Sequence, residues 1–199
     1  MIMMFRNLYV KWQVWRGKAI DIWSKSPYPA DVLSNLYTNS FYFEGAWCGS
    51  MEGLLQSLKY RDVDVQRKIC AMSGKEAKNK TNSDWQHDQI VWWKGRTIDR
   101  QSQDFENLIR EAYIALYQQN EEFRKALSST KGLKLYHSRG EQNPHKTILT
   151  EKEFCGILTH VRDTDTLNPN KSSLPSRNHL GIFRNFSFEF RLSSGLKNL

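Results

Sequence analysis

A chain of 199 residues, 39% hydrophobic and 13% aromatic, is long enough for one domain with a real core, too short for two comfortable ones, and too apolar to be disordered throughout. Twenty-nine Lys and Arg against 21 Asp and Glu leave a formal charge of +8, which favours encounter with phosphates, nucleotides or nucleic acid. The three scattered cysteines, Cys48, Cys70 and Cys155, form no C-x-x-C pair and suggest neither a disulfide framework nor a zinc site.

Arg6, Lys11 and Arg16 interrupt any apolar run of signal length, and no 18-residue apolar stretch occurs, so a cytoplasmic protein with no membrane partner is expected. Residues 5–47 are rich in aromatics and broken by Pro27, Pro29 and Gly45, which predicts short strands and irregular connections. Phe41-Tyr42-Phe43 reads as a strand entering a turn at Glu44-Gly45. From Ser50, an N-cap residue, Met51, Leu54, Leu55 and Leu58 recur at helical spacing and predict a helix over 51–60. A second helix is predicted over 62–72, and Ser73-Gly74-Lys75-Glu76 has the spacing of a capping box opening a third.

The clearest helix covers 101–118, with Phe105, Leu108, Ile109, Ala112 and Leu116 in one apolar stripe. Asn120 can cap the next, with Phe123, Ala126 and Leu127 inward, and residues 133–137 return to strand-like alternation. Thr150-Glu151-Lys152-Glu153 is another capping box, and Phe154, Ile157, Leu158 and Val161 continue a last helix. After Asp163 the composition shifts to Asn, Ser, Pro and basic residues, so 164–199 reads as a tail, either disordered or carrying a short strand around 186–190. The whole is one mostly helical domain over 1–163 with a small β-rich N-terminal part.

In a helix over 51–60, Glu52, Gln56 and Lys59 stand at i, i+4 and i+7 and share one face, opposite the leucines. Spacing alone describes an amphipathic helix with a solvated polar edge. The surrounding words add a second reading. Leu33-Ser34-Asn35-Leu36-Tyr37, then Ser50-Met51-Glu52 through Gln56 to Lys59-Tyr60, then Gly74-Lys75-Glu76-Ala77-Lys78, resemble in order and spacing the NADAR, or YbiA-like, N-glycosidase family. Trp92-Trp93-Lys94-Gly95, the helix through Tyr113 and residues 121–130 are similar to later stretches of that family, so the likeness spans roughly 20–163. The chain departs from the family's WG and N-x-LG segment at 147–156, and no site residue is carried over from there.

The resemblance implies a compact α+β domain that cleaves a C1′–N bond, either in a phosphorylated ribosyl metabolite such as a riboflavin-pathway ribosylamino-pyrimidine or in ADP-ribose attached to guanine in nucleic acid. A catalytically silent module binding a nucleotide or a protein partner is the third reading. Breaking the bond builds positive charge on the ribose, which a fixed carboxylate stabilises more in the transition state than in the ground state. Glu52 takes that role and can also orient or deprotonate water, with Lys59 gripping a substrate oxygen or phosphate or keeping Glu52 ionised. Asn35 suits ribose hydroxyls or a plain turn, and Gln56 shares the Glu52 face. Trp92 and Trp93 either stack on a base or divide between core and surface, and Arg100 meets a phosphate or a surface carboxylate. His87, His137, His145, His160 and His179 form no H-x-x-x-H pair, and neither phosphate-loop nor dinucleotide glycine pattern occurs, so no metal or cofactor is expected.

Overall fold

The computed structural model describes residues 2–80 and 82–167, with side chains over 5–80 and 82–164. Local side-chain acceptors start most helices. Ser50 caps α2 (Met51–Ser57): its Oγ accepts from the Gly53 N–H at 2.9 Å and donates to the Met72 carbonyl at 3.1 Å. Asp62 caps α3 (Val63–Cys70) through the Val65 N–H, and Glu76 reaches back to the Ser73 N–H (3.1 Å) and Oγ (2.8 Å) to open α4 (Gly74–Lys78). After α5 (Asp84–Asp88), Ser102 caps α6 (Gln103–Gln119), Asn120 caps α7 (Glu121–Ser128), and Thr150 exchanges bonds with Glu153 to start α8 (Glu151–Leu167). The periodicity over 51–60 overruns the helix because the Leu58 carbonyl is taken by the Trp92 N–H at 2.9 Å.

The N-terminal segment differs from expectation. Residues 2–15 form a helix, α1 (Ile2–Trp15), where strands and irregular chain were predicted. Val10 turns inward at 1% exposure while Phe5, Leu8, Tyr9, Trp12 and Trp15 point outward, so the aromatic-rich side of the helix faces away from the core. The strands then follow: β1 (Ala19–Asp21), β2 (Phe41–Phe43) and β3 (Ala46–Cys48). Glu44 and Gly45, at φ 45° and 78°, make the two-residue turn that pairs β2 with β3 antiparallel, Phe41 opposite Cys48. A second hairpin, β4 (Ile90–Trp93) and β5 (Arg96–Asp99), turns on Lys94 and Gly95 in the same way. β6 (Lys134–Tyr136) runs parallel to β1, Ile20 opposite Leu135, and joins the two ends of the domain.

The fold is mixed α+β, with α6 at its centre. Its stripe is buried as read, with Tyr113 and Tyr117 added, and it meets Phe41, Phe123, Phe154 and Leu158 in one core. Arg162 fastens α8 by donating to the carbonyls of Thr130 and Leu133, each at 2.9 Å. The tail beyond Leu167, including the strand predicted around 186–190, lies outside the described residues.

α2 approaches α3 and the chain after it closely enough to exclude a side chain at two points. A Cβ at Gly53 would stand 2.6 Å from the Cys70 carbonyl oxygen and 3.0 Å from that of Met72, and one at Gly49 would stand 2.4 Å from that of Ala71. Because these obstacles are backbone, Gly53→Ala should destabilise the fold by about 1–3 kcal/mol. Gly156→Ala, in open space on α8, should be neutral or stabilise by roughly 0.5–1 kcal/mol. Urea unfolding of the two variants checks the pair; equal midpoints would refute the close contact.

Candidate active site

The site is assembled by bringing the 33–37 loop onto the first turn of α2. The Glu52 N–H donates to the Asn35 carbonyl at 3.0 Å, so the two residues that the sequence places seventeen positions apart become neighbours. Asn35 is then fixed from the other side. Its Oδ1 accepts from the Tyr113 hydroxyl of α6 at 2.6 Å. With that oxygen occupied, the polar group Asn35 retains is its NH₂, a donor suited to ribose oxygens.

Tyr113 was not singled out in the sequence, where it sits inside an apolar stripe. It is fully buried, and burial holds its phenol well above the usual range, reinforced by the Glu52 charge and opposed by the Asn35 bond. It therefore stays a neutral donor. The available signal was a polar-tipped ring on the core face of a helix, which requires a buried partner.

On α2, the Gln56 Nε2 donates to Glu52 Oε1 at 2.8 Å. Gln56 is 7% exposed, and its Oε1 is buried without a hydrogen-bond partner among the described residues. The polar edge that spacing alone suggests is thus largely out of solvent, with Glu52 and Lys59 its half-buried members. Burial lowers the Lys59 pKa, and the Glu52 charge works against that shift. The Lys59 ammonium lies 6.0 Å from the ring centre of buried Trp85.

The remaining candidates separate. Gln66 ties β4 to the end of α2, its Nε2 donating to the carbonyls of Tyr60 (2.6 Å) and Trp92 (2.7 Å) and its Oε1 accepting from the Lys94 N–H (3.1 Å). Trp92, whose N–H donates to the Leu58 carbonyl, is half-buried. Trp93 is a correction: it is 1% exposed, stacked on Phe43, and its Nε1 donates to Glu44 at 3.0 Å, so it is a core residue. Arg100 is another. It is 1% exposed, with its guanidinium engaged by both oxygens of Glu153 at 3.0 and 2.7 Å and lying over Phe105, which makes it a buried structural ion pair instead of a phosphate ligand. Burial raises the Glu153 carboxyl, but the bonds from Arg100 and Thr150 outweigh it and the net shift is downward.

Glu153 belongs to the segment 147–156 that departs from the family pattern, and so does Glu151, which accepts from Arg6, Gln142 and the His137 N–H. These carboxylates hold α8 and α1 in place. Among the described residues no three His, Cys, Asp or Glu side chains are grouped to hold a metal ion.

An α+β core around a central helix, with a carboxylate on a short buried helix held to an Asn-bearing loop, is the NADAR, YbiA-like class. The chain matches the NMR structure of the E. coli protein YbiA with a TM-score of 0.53 at 18% identity, over 82% of this chain and 91% of that one. Residues 27–163 match the family model described as Bacteriophage protein GP30.3, a NADAR-type family, and the chain belongs to it. It is also 34% identical, over 148 residues, to the uncharacterized 17.1 kDa protein in the Gp30-rIII intergenic region of Enterobacteria phage T4, covering 73% of this chain and 97% of that protein.

The depressed Lys59 pKa carries a signed expectation. Below its folded-state value Lys59 is charged in both states, and the folded form bears the whole cost of burying it. Between that value and the ordinary 10.5 the folded form sheds the proton first, so stability rises with pH, and above 10.5 the cost is gone. Lys59→Met should therefore unfold at higher urea than the parent near neutral pH, and the advantage should shrink as the pH approaches 10.5. A variant less stable at neutral pH would show that the ammonium is not buried at a cost.

Proposed function

We propose that the chain hydrolyses the C1′–N bond of a phosphorylated ribosyl compound, a ribosylamino-pyrimidine of the riboflavin pathway being the type of substrate. The observation that carries this reading is the Glu52 carboxylate, held by Gln56 on a buried helix face beside a desolvated Lys59 and next to the Tyr113-fixed Asn35. As the bond breaks, positive charge grows on C1′ and the ring oxygen, and the adjacent Glu52 carboxylate stabilises it. Asn35 orients the ribose through its NH₂. Water adds to C1′ as it gives a proton to the Glu52 carboxylate, the departing nitrogen takes a proton from the Lys59 ammonium, whose lowered pKa suits it to the role, and transfer of the proton from Glu52 to Lys59 restores both groups. Trp92 supports the leaving base.

The charge favours a second reading, removal of ADP-ribose from guanine in nucleic acid, since a polyanion is attracted to a +8 chain. The charge is not all on the domain: after Leu167 come Lys171, Arg177, Arg184, Arg191 and Lys197 against Glu189, so +4 of it belongs to that segment. Ribosylated metabolites and ADP-ribosylated oligonucleotides, each assayed by mass spectrometry for the released base, distinguish the two.

Glu52→Gln removes the negative charge while keeping the shape and a hydrogen-bonding carbonyl. Turnover should fall by about a hundredfold or more, equivalent to roughly 3 kcal/mol of transition-state stabilisation, with ground-state binding and melting temperature nearly unchanged. Near-normal turnover on a substrate the parent cleaves would remove Glu52 from the chemistry. Binding without turnover in the parent itself would favour a silent module.

A further inference from the structure

α1 precedes the family-matched segment and presents a surface that the hydrolytic reading does not use. Phe5, Leu8, Tyr9, Trp12 and Trp15 recur at i, i+3, i+4, i+7 and i+10, which places them within an outward arc of about 120°. They are exposed, Phe5 at 65% and Trp15 at 83%. The opposite face is anchored: Val10 is buried and Arg6 pairs with Glu151 at the start of α8. The helix is therefore already formed and seated before anything covers its outer stripe, which lowers the ordering cost of binding.

The rim of the stripe selects the occupant. Lys11 flanks it, Arg16 lies 4.7 Å over the Trp12 ring, and Lys18 follows, whereas residues 1–20 contain no Asp or Glu. A second copy of the chain would bring the same basic rim, and the chain's own segment after Leu167 would bring a further +4, so both meet like charge. An anionic surface that also accepts apolar rings meets neither objection. Tryptophan and tyrosine, with apolar bodies and polar edges, are suited to the boundary between headgroups and acyl chains, and flanking Lys and Arg reach back to the headgroups. No helix among the described residues is long and apolar enough to cross a membrane, and α1 at 14 residues would lie in the plane of one.

We propose that α1 docks the protein on anionic membrane surfaces, with Phe5, Leu8, Tyr9, Trp12 and Trp15 entering the headgroup boundary and Lys11, Arg16 and Lys18 holding lipid phosphates. This goes beyond the sequence expectation of no membrane partner, and it is independent of the role of Glu52.

Flotation of the full chain with phosphatidylcholine vesicles, with and without phosphatidylglycerol, tests it. Binding should require phosphatidylglycerol, weaken with salt, and fall by about tenfold or more in Leu8→Glu/Trp15→Glu, both positions being exposed. Arg184→Glu/Arg191→Glu, after Leu167, should bind like the parent. Should the first variant melt differently, Trp12→Phe/Trp15→Phe keeps the stripe apolar; it should still bind while losing the quenching of tryptophan fluorescence by spin-labelled lipid seen in the parent. The proposal is overturned if the full chain fails to float, if binding survives Leu8→Glu/Trp15→Glu but not the Arg184/Arg191 reversal, or if lipid leaves the fluorescence of Trp12 and Trp15 unquenched. A stripe-dependent dimer that ignores vesicles would equally overturn it and assign the face to a second copy.

Discussion

The burial of α2 is the constraint on which the site depends. A helix of seven residues has no independent stability, because the cost of its first turn is barely recovered over such a length. It persists because Met51, Leu54 and Leu55 enter the core and Gly49 and Gly53 admit the backbone of residues 69–72 within contact distance. That packing takes the polar positions down with the apolar ones. Ser57 satisfies its hydroxyl on the Leu54 carbonyl, Gln56 donates to Glu52, and one acceptor, the Gln56 Oε1, is left without a bond among the described residues.

Two kinds of charge are distinguishable. Arg100 with Glu153, and Arg6 with Glu151, are pairs whose members meet side chain to side chain and fasten α8 to the rest of the domain. Lys59 has Glu52 as an electrostatic neighbour, but among the described residues it has no ion pair within bonding distance, and its pKa is lowered by burial. A half-buried cation without an ion pair at bonding distance works against stability.

Local information in the sequence was enough for elements that begin with their own caps. Ser50, Asn120 and the Thr150–Glu153 exchange act over three or four residues, and the helices they open start where the spacing predicted. The stripe of α6 and the turn at Glu44-Gly45 were legible for the same reason. α1 was not, because its aromatics carry strand propensity and face away from the core, and its conformation rests on contacts with β1 and on Arg6 meeting Glu151, 145 positions away. In the site, Glu52, Gln56 and Lys59 were readable as one helical face. Their meeting with Asn35 and Tyr113 was not, since it depends on a loop bond and on a helix 78 residues distant. Trp93 and Arg100 stayed open between a ligand contact and a packed or paired role, and only tertiary structure reveals Phe43, Glu44 and Glu153 as their partners.

If Glu52 carries out the proposed hydrolysis and Gln56 acts by positioning it, a double-mutant cycle on turnover of a substrate the parent cleaves reveals the coupling. Gln56→Met keeps the volume and removes the 2.8 Å bond to Glu52 Oε1. If Gln56 works through Glu52, its loss should slow the parent by about tenfold yet add almost nothing once Glu52 is Gln, a non-additivity of roughly 1.4 kcal/mol. Independent, multiplying losses would contradict the account, because they would mean that Gln56 serves the reaction, or the fold, by a route that does not pass through the carboxylate.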